Sequence, residues 1–122
     1  MAPQATDVAS SETHTVKPWF NGRIPQAVRV VDLADAGFPL AGGRIDVIDR
    51  EPEPTLVYHR RRHVISLTAT AAPGRADTAP RRDNIDGYNI VTWTRRGVEY
   101  WAVSDLNAAE LGEFANRFRT ND

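Results

Sequence analysis

Residues 87–119 constrain this chain more than any other stretch, because a strand, a tight turn, a second strand and a helix must follow one another with no slack. Tyr88, Ile90, Val91 and Trp93 carry the β-branched and aromatic content that suits a half-buried strand. Arg96-Gly97 supplies a residue able to take positive φ where the chain reverses. Residues 98–103 run back, with Trp101 and Val103 on one face and Val98, Tyr100 and Ala102 on the other. The helix then has both of its start signals. Asn107 is a capping residue, Glu110 completes a capping box, and Leu106 and Leu111 stand where a hydrophobic staple would pack. Leu111, Phe114, Ala115 and Phe118 fall on one helical stripe, which predicts a helix over 107–119 lying across a sheet.

Such an arrangement needs a core, and 122 residues suffice for one of modest size. With 15 basic and 16 acidic residues the formal net charge is -1, which argues against nucleic acid as a partner. The chain has no cysteine, so a disulfide framework, a thiolate metal site and a cysteine nucleophile are all excluded. No apolar run reaches the ~18–20 residues that span a bilayer.

Upstream, residues 1–13 are small and polar and read as a flexible segment. Residues 14–119 read as a single α+β domain, and residues 120–122 as a tail. Pro18 argues against a helix around Trp19 and Phe20, and Asn21-Gly22 signals a turn. A short strand is expected over 28–31, then one helical turn from Asp32 stopped by Gly37. Gly42-Gly43 lacks the spacing of a phosphate loop and reads as a bend or bulge. Three strands follow as a meander over 44–70, with a proline-bearing turn at 50–54 and a charged reversal at 60–62. Residues 71–86 have no period and read as a mobile loop. The expected fold is therefore α+β: an antiparallel sheet of about five strands, the meander 44–70 plus the hairpin 87–104, packed against the C-terminal helix.

Several side chains invite a chemical reading. Trp19 and Phe20 would fill a core edge or face a ligand. His59 and His63, flanking three arginines, would need a third ligand such as His14 to hold zinc or copper, and the guanidinium groups would repel a cation. Arg60, Arg61 and Arg62 would bind an anion or form a solvated hairpin tip. Ser104 and Asp105 with a histidine make a hydrolase triad only on paper, since G-x-S-x-G is absent. No catalytic residue, metal or cofactor is assigned. The candidate ligand or partner contacts are Trp19, Phe20, Phe38, Arg44, Arg60, Arg62 and His63.

Four stretches together carry a resemblance. They are Thr-His-Thr-Val-Lys-Pro-Trp-Phe-Asn-Gly from Thr13, Asp-Leu-Ala-Asp-Ala-Gly-Phe-Pro-Leu-Ala-Gly-Gly-Arg-Ile-Asp from Asp32, Leu-Val-Tyr-His-Arg-Arg-Arg-His-Val-Ile from Leu56, and Asp86 through Trp93 to the segment Trp101–Leu111. In order and spacing, from about residue 8 to residue 119, they resemble the extracytoplasmic C-terminal part of bacterial membrane-bound anti-sigma factors, the transmembrane transcriptional regulators. The chain departs from the family at His59, where arginine is usual, and over 68–73, where an aromatic and Trp-Pro are usual. The resemblance implies a non-enzymatic sensory or regulatory domain in the periplasm, a fragment of a single-pass inner-membrane protein. It would control sigma-factor release from the membrane-bound parent. Its own partner would be a periplasmic protein or small ligand. The sigma factor would be held by a separate cytoplasmic domain, and the membrane by a separate helix. The other reading of the chain is a free-standing small-molecule-binding module with its pocket between sheet and helix.

Overall fold

A computed structural model describes residues 8–10, 13–21, 23 and 29–121. Among the described residues, seven strands form one antiparallel sheet: β1 (Val8–Ala9), β2 (Leu40–Ile48), β3 (Glu51–Arg60), β4 (His63–Ala71), β5 (Arg81–Ile85), β6 (Tyr88–Arg95) and β7 (Val98–Ser104). Their order is β1-β2-β3-β4-β7-β6-β5. The same residues hold two α-helices, α1 (Thr13–Asn21) and α2 (Ala108–Thr120), and a 3-10 turn (Ala34–Ala36). The α+β class stands as expected, but the strands number seven rather than about five.

Tight turns set the register. Asp49 and Arg50, Asp86 and Gly87, and Arg96 and Gly97 all take positive φ, as two-residue hairpin loops with the twist of their strands require. The two prolines expected in a turn lie inside β3 instead. Ile48 pairs with Glu51, so Glu51 and Glu53 exchange backbone bonds with β2 and Pro52 and Pro54 face away. β4 pairs with β3 only from Thr55 onward, so no ladder N–H is asked of either proline.

Alternation along the strands sorts the side chains by face. Leu56, Tyr58, Ile65, Leu67, Val91, Trp93, Tyr100 and Ala102 share one buried face. Helix α2 lies on it with Leu111, Phe114, Ala115 and Phe118 turned inward, the stripe that the sequence predicts. Phe114 meets Tyr58 at 5.0 Å and Phe38 at 5.4 Å between ring centroids, and Phe118 meets Tyr100 at 5.4 Å. Trp93 stacks on Tyr100 at 5.3 Å. Trp101 and Val103 stand on the opposite face, half-buried.

Three sequence expectations are corrected here. Residues 13–21 form a helix despite Pro18. Val16 and Phe20, one turn apart, are buried against Gly43 on the same sheet face as α2. Burying two such side chains gives about 1.5–3 kcal/mol each, enough to offset a proline penalty of about 3 kcal/mol. Gly43 is needed there, since a Cβ would sit 2.6 Å from the Phe20 ring. The expected strand at 28–31 is absent over 29–31, and Val28 lies outside the described residues. The Val31 carbonyl instead accepts the Tyr58 hydroxyl at 2.6 Å. Finally, part of the expected loop 71–86 is a strand: β5 pairs with β6 from Arg81–Thr92 to Ile85–Tyr88. All five of its side chains are exposed, so it shows no apolar alternation.

Other expectations match. The 3-10 turn ends at Gly37, φ 92°, whose N–H donates to the Ala34 carbonyl at 3.0 Å. The Gly42 region is a bulge, where the β2–β3 register shifts. The expected turn at 21–22 falls partly outside the described residues.

Candidate functional site

The arginines of the β3–β4 tip are tied into the fold. Arg60 Nε donates to Glu110 Oε1 at 2.7 Å, and its Nη1 reaches the Ala36 and Gly37 carbonyls at 3.3 and 3.4 Å. Its guanidinium lies 4.7 Å over the Phe38 ring. A Cβ at Gly37 would fall 2.1 Å from Arg60 Nη1, so that glycine serves both the turn and the arginine. Arg61 donates to both Glu110 oxygens, at 3.0 and 2.8 Å. Glu110 also takes a bond from the Asn107 amide, while Asn107 Oδ1 accepts the Glu110 N–H at 2.9 Å. The cap therefore forms, but the Glu110 carboxylate turns to the hairpin arginines rather than back to the cap backbone. Hydrogen bonds from Arg61, Arg60 and Asn107, in that order, hold its pKa down from 4.5 to about 2.

The remaining sequence candidates do not converge. Phe20 and Phe38 are fully buried, so the structure assigns both to the core rather than to a partner. Trp19 is half-buried with the Arg23 guanidinium 4.5 Å over its ring. Arg44 lies on the face away from α2, 3.0 Å from Asp46 Oδ1 and 3.3 Å from Ser66 Oγ, in a polar chain that continues through Thr55 to Thr68. Arg62 is exposed and lines a shallow hollow with Val64, Tyr88 and Asp105. His63 Nδ1 is 2.8 Å from Asp105 Oδ1. The register pairs His63 with Arg60 and His59 with Val64, so the two histidines point to opposite faces and cannot share a metal. The side chain of His14 lies outside the described residues. Ser104 Oγ donates to the Val64 carbonyl at 2.8 Å and accepts the Leu106 N–H at 3.1 Å, so it ties the end of β7 to the start of the turn into α2. The space between sheet and α2 is filled by Tyr58, Trp93, Tyr100, Phe114 and Phe118, where the small-molecule reading expected a pocket.

A cleft that sequence reasoning missed lies at the other end of the sheet. Continuing the β5–β6 register would set residue 79 against Thr94. Instead Thr78 takes that place: its N–H donates to the Thr94 carbonyl and its Oγ1 accepts the Thr94 N–H, both at 2.9 Å. Pro80 has no N–H to continue the ladder. The strap 72–80 is held further by Ala72 N–H to the Gly97 carbonyl at 2.8 Å and by Arg96 N–H to Asp77 Oδ1 at 2.8 Å. Between strap and sheet opens a cleft of about 370 Å3, lined by Arg75, Thr78, Arg81, Thr92, Trp93 and Glu99 among others. Arg75 Nη1 lies 3.4 Å from Glu99 Oε2. Trp93 Nε1 is buried and meets no acceptor. No signal of spacing marks this cleft, because a one-residue shift in an exposed edge strand creates it.

Among the described residues, no helix is long and apolar enough to cross a membrane. The chain matches no protein-family model, no curated protein and no solved structure.

Proposed function

We propose that this domain is the non-enzymatic, extracytoplasmic sensory or regulatory part of a membrane-bound anti-sigma factor, governing release of the sigma factor from its parent protein. The observation that supports the reading is the resemblance of the four stretches. They fall on α1, on the 3-10 turn with β2, on the β3–β4 hairpin, and on β6, β7 and α2. Together they supply most of one sheet-and-helix unit, including the Asn107 cap and the Arg60 tip that hold α2 in place. Its partner would be a periplasmic protein or a small ligand.

The test is made in the native gene. Residues 29–121 are replaced by an unrelated folded domain of similar size, and transcription from the promoters of the cognate sigma factor is measured with and without envelope stress. The expected result is loss of the response, with transcription fixed high or fixed low. A normal induction in the replaced strain contradicts the proposal.

A further inference from the structure

We infer that the sheet face turned away from α2 docks a second copy of this chain, packed face to face about a two-fold axis that runs along the strands between β6 and β7. This goes beyond the regulatory reading, and either can fail without the other. The argument starts from alternation. An antiparallel sheet with one solvated face ordinarily carries polar side chains there. Here that face is apolar over β4, β7, β6 and β5. Val64, Ile85, Tyr88, Ile90, Trp101 and Val103 all stand on it, by the registers His59–Val64, Ser66–Val103, Ile90–Val103, Thr92–Trp101 and Ile85–Tyr88. Ile85 is 53% exposed and Tyr88 52%. Large apolar side chains left open next to one another mark a contact surface.

The second observation is that this face is complementary to itself. Across the four strands one register row reads Ser66, Val103, Ile90, Asp83, and the next reads Thr68, Trp101, Thr92, Arg81. The first is polar at both ends and apolar between. A two-fold axis between β7 and β6 sets each row against its own reverse. Val103 then meets Ile90 of the second copy, the Ser66 hydroxyl meets the Asp83 carboxylate, and the Thr68 hydroxyl meets the Arg81 guanidinium. Beside these rows, on β4 and β7, lies the hollow lined by Arg62, Val64, Tyr88 and Val103, about 360 Å3 in volume. The same axis carries the exposed Ile85 of each copy onto the hollow of the other. Charge follows the same pattern. Asp83 and Asp86 lie close to Ile85 in sequence and are exposed, and Arg62 is exposed at the rim of the hollow. The acid in the hollow, Asp105, already lies 2.8 Å from His63. An isologous contact therefore closes side chain on hollow and acid on arginine twice over. A foreign partner would need none of this internal symmetry, which is why the occupant is a second copy. The patch is roughly 15 Å wide at about 4.8 Å per strand spacing. A contact of that width buries less than about 1,200 Å2 in total, the class of weak and reversible complexes.

The test is sedimentation equilibrium of the whole 122-residue chain from about 20 µM to about 1 mM, read as a dimer Kd. The expected result is a reversible monomer–dimer equilibrium. Ile85→Ser and Arg62→Glu should each weaken it about tenfold or more. Both side chains are exposed, so the urea midpoint of each variant should stay at the wild-type value. Val47→Ser is the control. Val47 is 72% exposed but stands on β2 and on the other side of the sheet, so its loss should leave Kd unchanged. The inference is overturned if the chain is monomeric throughout the range, if either Ile85→Ser or Arg62→Glu dimerises like the wild type, or if Val47→Ser weakens the dimer as much as Ile85→Ser does.

Discussion

Two regions of this molecule bring two arginines and one glutamate together, and they use them differently. At the β3–β4 tip, Glu110 accepts from Arg60 at 2.7 Å and from Arg61 at 2.8 Å. At the strap, Glu99 pairs with Arg75 at 3.4 Å and Arg81 stands apart. The first region closes on itself. Its carboxylate joins the β-hairpin to the N-terminal turn of α2, and Arg60 adds the 3-10 turn through two carbonyls. The second leaves the Arg81 side chain exposed, with no ion pair among the described residues. Composition alone does not separate a closed latch from an open cleft. What separates them is whether donors and acceptors balance locally.

The comparison can be broken from the structural side first. Phe114→Ala removes the ring that meets both Tyr58 and Phe38 beneath the latch, and should cost about 3–5 kcal/mol in urea unfolding. Tyr58→Phe keeps the ring but leaves the Val31 carbonyl without its donor, a loss of about 1–3 kcal/mol on the same measurement. Burial pushes the Tyr58 phenol well above its ordinary pKa of 10.0. The stability it contributes is present below that pH and is lost as pH rises toward the folded value, so Tyr58→Phe should also reduce the alkaline fall in stability. Asn107→Ala removes the α2 cap and should cost about 1 kcal/mol, read as a lower urea midpoint with an unchanged slope. Arg81→Gln, on the other side of the comparison, should stay within about 0.5 kcal/mol of the wild type. A larger loss there would make Arg81 structural, like Arg60.

Much of the fold was legible in the sequence where one face of an element is buried. Leu111, Phe114, Ala115 and Phe118 declare α2, and the alternation around Tyr100 and Ala102 declares β7, because burial imposes a period on residue choice. Where burial is absent, so is the signal. β5 is a strand through backbone pairing alone, and its Arg-Arg-Asp-Asn run reads as loop. Local rules also misled where tertiary context overrode them. Pro18 sits in a helix because Val16 and Phe20 anchor it, and Pro52 and Pro54 sit in a strand because their nitrogens face away from β2. Among the candidate contacts, the sequence marks Arg60 and Glu110 as charged residues but not as partners, since 50 positions separate them. The strap cleft was illegible for a similar reason. It arises from how Thr78 pairs with Thr94, and neither residue carries a pattern of its own.

The latch is tested most directly by the difference in urea midpoint between wild type and Glu110→Gln, measured from pH 7 down to pH 2. The Glu110 pKa is about 2 in the folded chain against an ordinary 4.5, so its ion pairs stabilise the fold fully above pH 4.5 and progressively less as pH falls toward 2. The expected result is a lower midpoint for Glu110→Gln at pH 7 and a gap that narrows across that window. Equal midpoints for the two proteins at pH 7 would contradict the latch, and would return the arginines of the hairpin tip to the pool of groups free to bind a partner.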